Sequence, residues 1–339
     1  MVYDRPDRVL DRPGLERAFF TQRCVSDAQL QQTVDALRSV GAYVELFAGE
    51  QPLIEALASG RLSTIDREVK LVYNGIEGGI GVGGFQPGRK ALLPAIADSY
   101  GMLCSNSNAY ACAVGRHKFH YYTLLRALGF PVPDVWHYSL DGRWAAGRSP
   151  EAGETVIVKS TFESWSVGVS EDSVFVVDQD AELRVRDIAI SIGQPATVQR
   201  FTPGTEVCVP VFASPDILVT PPVEAVLAKA PHDPRAIMTI DDNLTDRGVD
   251  HELYDAPESV IRELEDIAGR AFVALELTAF ARIDFRVDVN GRCWVIDVGV
   301  SPGISRQSSA FCSAHIWGLD HAEFLRAVIG ATLLARHDR

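Results

Sequence analysis

Residues 281–309, ARIDFRVDVNGRCWVIDVGVSPGISRQSS, constrain this chain more than any other stretch. Two runs of alternating apolar residues, Ala281 to Val289 and Cys293 to Gly299, flank Asn290-Gly291. That pair is the strongest short hairpin signal, because both of its residues accept positive φ. The spacing predicts two antiparallel strands, with Arg282, Asp284, Arg286 and Asp288 sharing one face at period 2. Asp297 ends the second strand, beside the short stiff loop Gly-Val-Ser-Pro-Gly. Alternating charge also suits a solvated strand face, and spacing alone does not separate the two readings. Carboxylates, an arginine and exposed loop amides in one place suit magnesium and phosphate.

A chain of 339 residues is too long for one simple core and implies two or three subdomains. Its formal net charge of -13 argues against a nucleic-acid-binding surface, which is normally basic, while leaving room for a local basic pocket. Cys24, Cys104, Cys112, Cys208, Cys293 and Cys312 show no CxxC and no paired spacing, which favours reduced thiols in a cytoplasmic protein. No apolar run reaches the ~18 residues of a membrane span, and the first residues carry no hydrophobic signal core. A cytosolic protein with no membrane partner is expected.

Along the chain, residues 1–16 read as a loose extension and Ala18 to Thr21 as an apolar piece. Ser26 is an N-cap for a helix running to about Val40. Strand Tyr43 to Phe47, helix Pro52 to Ala58 and strand Lys70 to Tyr73 form a β-α-β alternation, which implies a parallel sheet. Gly79-x-Gly81-x-x-Gly84 satisfies a dinucleotide fingerprint with Asp98 downstream, but Pro87-Gly88 interrupts the helix that should follow. A glycine loop over a pocket is the plainer reading. One helix is expected from Ala109 to Gly129; His117 and His120 on it are spaced for a metal pair but lack a carboxylate partner. Val156 to Lys159 reads as a strand, and Ser160 to Gly168 as a hydroxyl-rich loop beside Lys159. Two strands flank Pro203-Gly204, with Glu206 just after. A strand at Val223 to Ala228, a polar loop at Pro231 to Arg247, a helix at Pro257 to Leu275 and a closing helix at His321 to Ala335 complete the chain.

Six segments occur in order between Val69 and Arg339: VYNGIEG, YGMLCSNSNAYA, GRHKFHYYTLLRALGFPVP, VIVKSTFESWSVG, VQRFTPGTE and ARIDFR…VIDVGVSPGIS. Together they resemble the ATP-grasp superfamily, and within it the ligases similar to D-alanine:D-alanine ligase. The resemblance implies an α/β (α+β) ATP-grasp fold, in which an N-terminal parallel-sheet subdomain precedes two α+β subdomains that clasp ATP. The expected boundaries are 1–115, 116–202 and 203–339. It implies ATP and one or two Mg²⁺ ions, a small carboxylate and an amine as substrates, and a homodimer.

Residue by residue, the resemblance assigns Lys118 and Lys159 to the nucleotide phosphates and Ser166 to the loop over them. Gln199, Arg200 and Phe201 match the hinge that reads the adenine edge, Ile157 and Ile296 the residues that sandwich the base, and Glu206 the acid on the ribose. Asp284 and Asp297 match metal ligands, and Arg282 the arginine that stabilises the acyl phosphate and tetrahedral intermediate. Gly303 and Ser308 match contacts to the substrate carboxylate.

Four departures are visible. Gly299 stands where the family has a metal-binding asparagine, with Asp288 a candidate to compensate, and Asp297 stands for a longer glutamate. Trp165 replaces a small serine. Acids occupy the region of a phosphate-gripping lysine, leaving Lys229 as its nearest substitute, and an N-terminal acidic motif is missing. These changes imply a substrate pair other than two D-alanines. An ATP-binding scaffold without catalysis is the alternative, and a nicotinamide-dependent enzyme a third reading. The glycine loop Gly78 to Gly84 and the stretch Pro231 to Arg247 are the candidate lids.

Overall fold

The computed structural model describes residues 1–3, 26–66, 69–76, 87–245 and 248–335. The apolar piece at Ala18 to Thr21, Cys24 and the glycine fingerprint lie outside them. Ser26 caps helix α1 (Asp27–Ser39): its hydroxyl accepts from the Gln29 amide at 3.2 Å, and the Gln29 side chain accepts from the Ser26 amide. Five short strands follow the N-terminal pattern: β1 (Val2–Tyr3), β2 (Phe47–Ala48), β3 (Leu71–Val72), β4 (Asn74–Gly75) and β5 (Leu103–Cys104). β1 pairs with β2 and β4, and β3 with β5, all parallel as expected. Helices α2 (Glu50–Ala58) and α3 (Leu92–Ser99) connect them. Residues 43–46, expected as strand, carry no ladder. Apolar alternation shows what a strand would bury, not whether an edge is available to pair with it.

The single helix expected over 109–129 is two, α4 (Ala109–Arg116) and α5 (Lys118–Ala127), broken at His117 with φ -99° and ψ 92°. The Lys118 amide donates to the Thr161 carbonyl at 3.1 Å instead of to its own helix, so a tertiary bond sets the break. Gly115 is needed here, because a Cβ would lie 2.2 Å from Val300 Cγ1.

Four strands, β6 (Val135–Tyr138), β7 (Thr155–Ser160), β8 (Val174–Val176) and β9 (Ala196–Arg200), form an antiparallel sheet in the order β6-β9-β7-β8. Helix α6 (Ala181–Ile192) covers it, burying Val185 and Ala189 against Val156 and Val198. A second, six-stranded antiparallel sheet holds β10 (Thr205–Phe212), β11 (Leu218–Val219), β12 (Val223–Leu227), β13 (Val249–Leu253), β14 (Phe280–Val287) and β15 (Cys293–Gly299). Its order is β13-β12-β10-β14-β15, with β11 on β10. The strands flanking Pro203-Gly204 thus belong to different sheets, and residues 201–204 are the passage between them.

A short helix α7 (Ile240–Leu244) interrupts the polar stretch, and the long α8 (Glu258–Ala274) packs on the second sheet. Tyr121, Tyr122 and Leu125 of α5 are buried in that same core with Leu264, Phe272, Ile283 and Phe285. Helices α9 (Ser309–Ile316) and α10 (His321–Leu334) close the chain, α10 against Ala36 and Leu37 of α1.

The central hairpin forms, with a different turn from the one expected. β14 ends at Val287, two residues early, and only Gly291 has positive φ, at 77°. The Gly291 amide donates to the Asp288 carbonyl at 2.8 Å, and the Asp288 carboxylate accepts from the Asn290 and Arg292 amides. This is a three-residue loop closed by a left-handed glycine. Asp288 also accepts from Trp294 Nε1 at 3.2 Å. It is spent on the turn and does not compensate for Gly299 as the sequence suggested.

Candidate active site

The cleft between the two antiparallel sheets is built on an irregularity in the hairpin. Asp284 pairs with Asp297, but Phe285 pairs with Val295, so Ile296 is an extra residue. Strict alternation would send Ile296 and Asp297 to opposite faces. The bulge lets both border the cleft. It also frees the Ile296 carbonyl, which accepts from the Tyr122 hydroxyl and, at 3.4 Å, from Lys159 Nζ.

The cleft gathers Lys118, Ile157, Lys159, Ser166, Gln199, Arg200, Phe201, Glu206, Asp284, Ile296 and Asp297, drawn from four of the six motif segments. Ile157, Val169 and Ile237 form a buried apolar cluster flanked by Phe201. Gln199 is opposite Ile157 in register and lies 3.3 Å from the Tyr122 hydroxyl. The Arg200 amide donates to Asp134 and the Phe201 amide to Thr155, both at 2.8 Å, so these two amides are spent inside the fold. Glu206 accepts from Arg286 at 3.2 Å.

Burial dominates the electrostatics. It pushes the Lys118 ammonium down, opposed by Asp297, and Lys118 donates to the Glu163 carbonyl. Lys159 is pushed down to about 8 by burial, with Asp297 opposing and Lys118 adding to the shift. Asp297 is held at about 2: burial alone would raise it, and Lys118, Lys159 and the Tyr121 hydroxyl at 2.8 Å overcome that. Asp284 is raised by burial, against the pull of Arg282.

Arg282, Gly303 and Ser308 do not line this cleft. Arg282 grips Asp284 with two bonds of 2.6 Å and reaches Ser309 Oγ at 2.9 Å. Ser308 is the N-cap of α9: its hydroxyl accepts from the Phe311 amide at 3.1 Å and donates to the Ser305 carbonyl. That hydroxyl is committed to the helix, so the side-chain contact to a carboxylate expected of it is not offered. Gly303 lies beside it, an added Cβ meeting Ser308 Cβ at 3.6 Å. Lys229 bonds Glu171 at 2.6 Å and Asp242 at 2.8 Å and is not in the cleft, against its expected place near phosphate.

The loop over the cleft is strained in a defined way. Trp165 and Ser166 both have positive φ, 59° and 56°, and Trp165 is 49% exposed. The Asn243 side chain donates to the Trp165 carbonyl at 3.2 Å, and the Ile240 amide to Val169 at 3.3 Å, so the polar stretch leans on this loop. Gly168, at φ 78°, packs against Ile192, where a Cβ would meet Cγ2 at 2.3 Å.

A family model described as D-ala D-ala ligase C-terminus matches residues 124–330. The chain belongs to the D-Ala-D-Ala ligase family. Curated relatives include the D-alanine–D-alanine ligases of Neisseria meningitidis serogroup B, 26% identical over 90% of this chain and 92% of the relative, and of Desulforudis audaxviator, 25% identical over 71% and 76%. Among solved structures, the Bacillus anthracis D-alanine–D-alanine ligase complexed with ATP superposes with a TM-score of 0.69 at 15% identity, covering 99% and 97%. A D-Ala:D-Ser ligase from Enterococcus faecalis matches at 0.56 and 16%, over 71% and 68%. The ATP-grasp fold expected from the motifs is therefore present, and the chain is an ATP-dependent carboxylate-amine ligase of this family. No helix among the described residues of the ligase is long and apolar enough to cross a membrane.

Sequence reasoning missed Tyr121, Tyr122, Glu163 and Ser309. One signal was present: Tyr121 and Tyr122 stand three and four residues after Lys118, on the same face of α5. Behind them, His117 and His120 stack with ring centres 3.4 Å apart, and His137 lies 5.3 Å from His117. No metal-ligand group forms from these histidines among the described residues. Burial, together with their mutual proximity, holds His117 near 3 and His137 near 4. The unfolded chain binds these protons from pH ~6.5 downward, so stability rises with pH through this range and is lost as pH falls below it. Melting temperatures between pH 7 and 5 should fall more steeply in the wild type than in His137→Phe. Parallel pH profiles would refute a contribution from the cluster.

Proposed function

We propose that the ligase activates a small carboxylate as an acyl phosphate and couples it to an amine, releasing ADP and phosphate. The observation that carries this reading is the meeting of Lys118, Lys159, Asp284 and Asp297 in one cleft beside an apolar cluster. The base would lie between Ile157 and Ile296, and Glu206 would hold the ribose hydroxyls. With the Arg200 and Phe201 amides already paired, the hinge would read adenine through the Arg200 carbonyl and the following residue, Thr202. A carboxylate oxygen then attacks the γ-phosphorus, forming C–O–P as the bond to the ADP oxygen breaks. The amine forms the C–N bond, expels phosphate and loses its proton. Arg282 stands beside Asp284, where it would stabilise the anionic carbonyl oxygen. The donor set of Asp284 and Asp297 suits Mg²⁺, a hard cation that prefers oxygen ligands. Bound there, it would neutralise charge on the transferring phosphoryl group.

The names of the relatives make D-alanine the first substrate to test on both sides of the bond, contrary to the different pair expected from the sequence. Trp165 favours a second reading, in which the acceptor differs: a large exposed indole in a strained loop narrows the cleft where a serine would leave it open. Phosphate release with Mg²⁺, scored alongside product mass for D-alanine and for a panel of D- and L-amino acids and amines, decides between them. D-Ala-D-Ala as the dominant product supports the first reading. A condensation product found only with another acceptor supports the second. ATP binding with no turnover across the panel would overturn the proposed reaction.

Lys159 supplies a separate test. Nucleotide phosphates favour its charged form, so binding above pH 8 should take up a proton, approaching one at pH ~9. Calorimetry with a non-hydrolysable ATP analogue, in buffers of different ionisation heat, measures this uptake. A heat independent of buffer at pH ~9 would remove Lys159 from the phosphate site.

A further inference from the structure

The lone pairs of the two aspartates in the cleft can be counted. Asp297 Oδ1 accepts from the Tyr121 hydroxyl at 2.8 Å and from the Val298 amide at 2.9 Å, which fills both of its acceptor positions. Asp284 Oδ1 and Oδ2 each accept one Arg282 bond at 2.6 Å, leaving one position apiece. Gly299, two residues beyond Asp297 on the same face and opposite Arg282, offers no side-chain oxygen. A Cβ there would lie 3.3 Å from Arg282 Cβ. The two glutamates of the cleft are also paired, Glu206 with Arg286 and Glu163 with Arg89.

We infer that this site holds one divalent cation, on Asp297 Oδ2 with Asp284, and that Tyr121 is the positioning residue that orients Asp297 toward it. The inference rests on the ligase reading of the cleft. Two ions in one phosphoryl-transfer site stand about 3.5–4 Å apart and share ligands that stabilise both sides of the displacement. Asp297 cannot bridge two such ions with one oxygen on each while Tyr121 and Val298 occupy Oδ1. One ion is well served: Mg²⁺ typically takes one or two carboxylates and completes its shell with phosphate oxygens and water. Two constraints on Asp297 act together. Its side chain is one methylene shorter than glutamate, and the phenol from α5 fixes which oxygen faces the cleft.

The test uses Mn²⁺ as the probe ion and the β,γ-imido analogue of ATP with the full chain. Native mass spectrometry counts ions in the complex, and electron paramagnetic resonance of free Mn²⁺ gives the affinity. One Mn²⁺ per chain with analogue bound is expected. Tyr121→Phe should weaken Mn²⁺ binding about 10–100-fold, the usual cost of losing a hydrogen bond that orients a metal ligand. Two ions in the wild-type complex would overturn the inference without recourse to any variant. Unchanged Mn²⁺ affinity in a folded Tyr121→Phe chain would remove the role of Tyr121. An analogue that does not bind at all would instead overturn the ligase reading of the cleft, and the ion count with it.

Discussion

Asp297→Asn is expected to lower kcat about a hundred- to a thousandfold. The carboxylate is held charged by Lys118 and Lys159 and supplies the only wholly unengaged carboxylate oxygen among the two proposed cation ligands. Metal-assisted charge stabilisation is worth several kcal/mol, and each 1.36 kcal/mol is tenfold in rate. Asparagine keeps the shape and can still accept from Tyr121, so the variant tests charge more than packing. Stability should also change. A carboxylate held at about 2, against an ordinary 3.8, contributes about 2 kcal/mol above pH ~4, and that contribution is lost as pH falls toward 2. The variant should therefore melt lower at pH 7, with Lys118 and Lys159 pushed further down by the loss of their counter-charge. Steady-state kinetics and melting curves measure both effects. Wild-type turnover in this variant would end the assignment of Asp297 to the reacting site.

Arg282→Ala is expected to cost a similar factor in turnover and, in addition, about 3 kcal/mol of stability. Its guanidinium forms a two-bond fork with Asp284, and Asp284 is only 3% exposed. Removing the arginine leaves a buried carboxylate without its partner, which typically costs about 3–5 kcal/mol; the partial exposure of Arg282 argues for the low end. Asp284, already raised by burial, would then shift further toward the protonated form. Arg282→Lys restores charge without the fork and should recover stability more than kcat, since one ammonium cannot hold Asp284 and Ser309 in the same geometry. Urea midpoints and kcat/KM for the pair separate the two contributions. Equal recovery of both quantities in the lysine variant would reduce Arg282 to a plain counter-charge.

Much of this was legible locally. Period 2 placed Arg282, Asp284 and Arg286 on one face, and the structure has them on β14 with Asp284 and Arg286 in the cleft. Ser26 marked the start of α1 to the residue, because an N-cap acts on amides within its own first turn. The β-α-β alternation implied the parallel pairing near the N-terminus, although the strands are shorter than the apolar runs. What a short window of chain can satisfy by itself, the sequence by itself determined: helix starts, strand faces, the order of motifs and the hairpin that carries two acids.

The tertiary structure decided the rest. The Lys118 amide bonds to Thr161, and one expected helix became two. Asp288 had the right spacing to join the acids but its carboxylate was drawn into the turn by two amides and an indole within reach. The bulge at Ile296 broke the period-2 rule at the point where two adjacent residues both border the cleft. Tyr121 meets Asp297 across 176 residues of chain. Such pairings depend on which buried polar group finds which partner once the sheets and helices have packed. A buried donor or acceptor left alone costs about 1–3 kcal/mol, so packing selects among arrangements that local periodicity treats as equal.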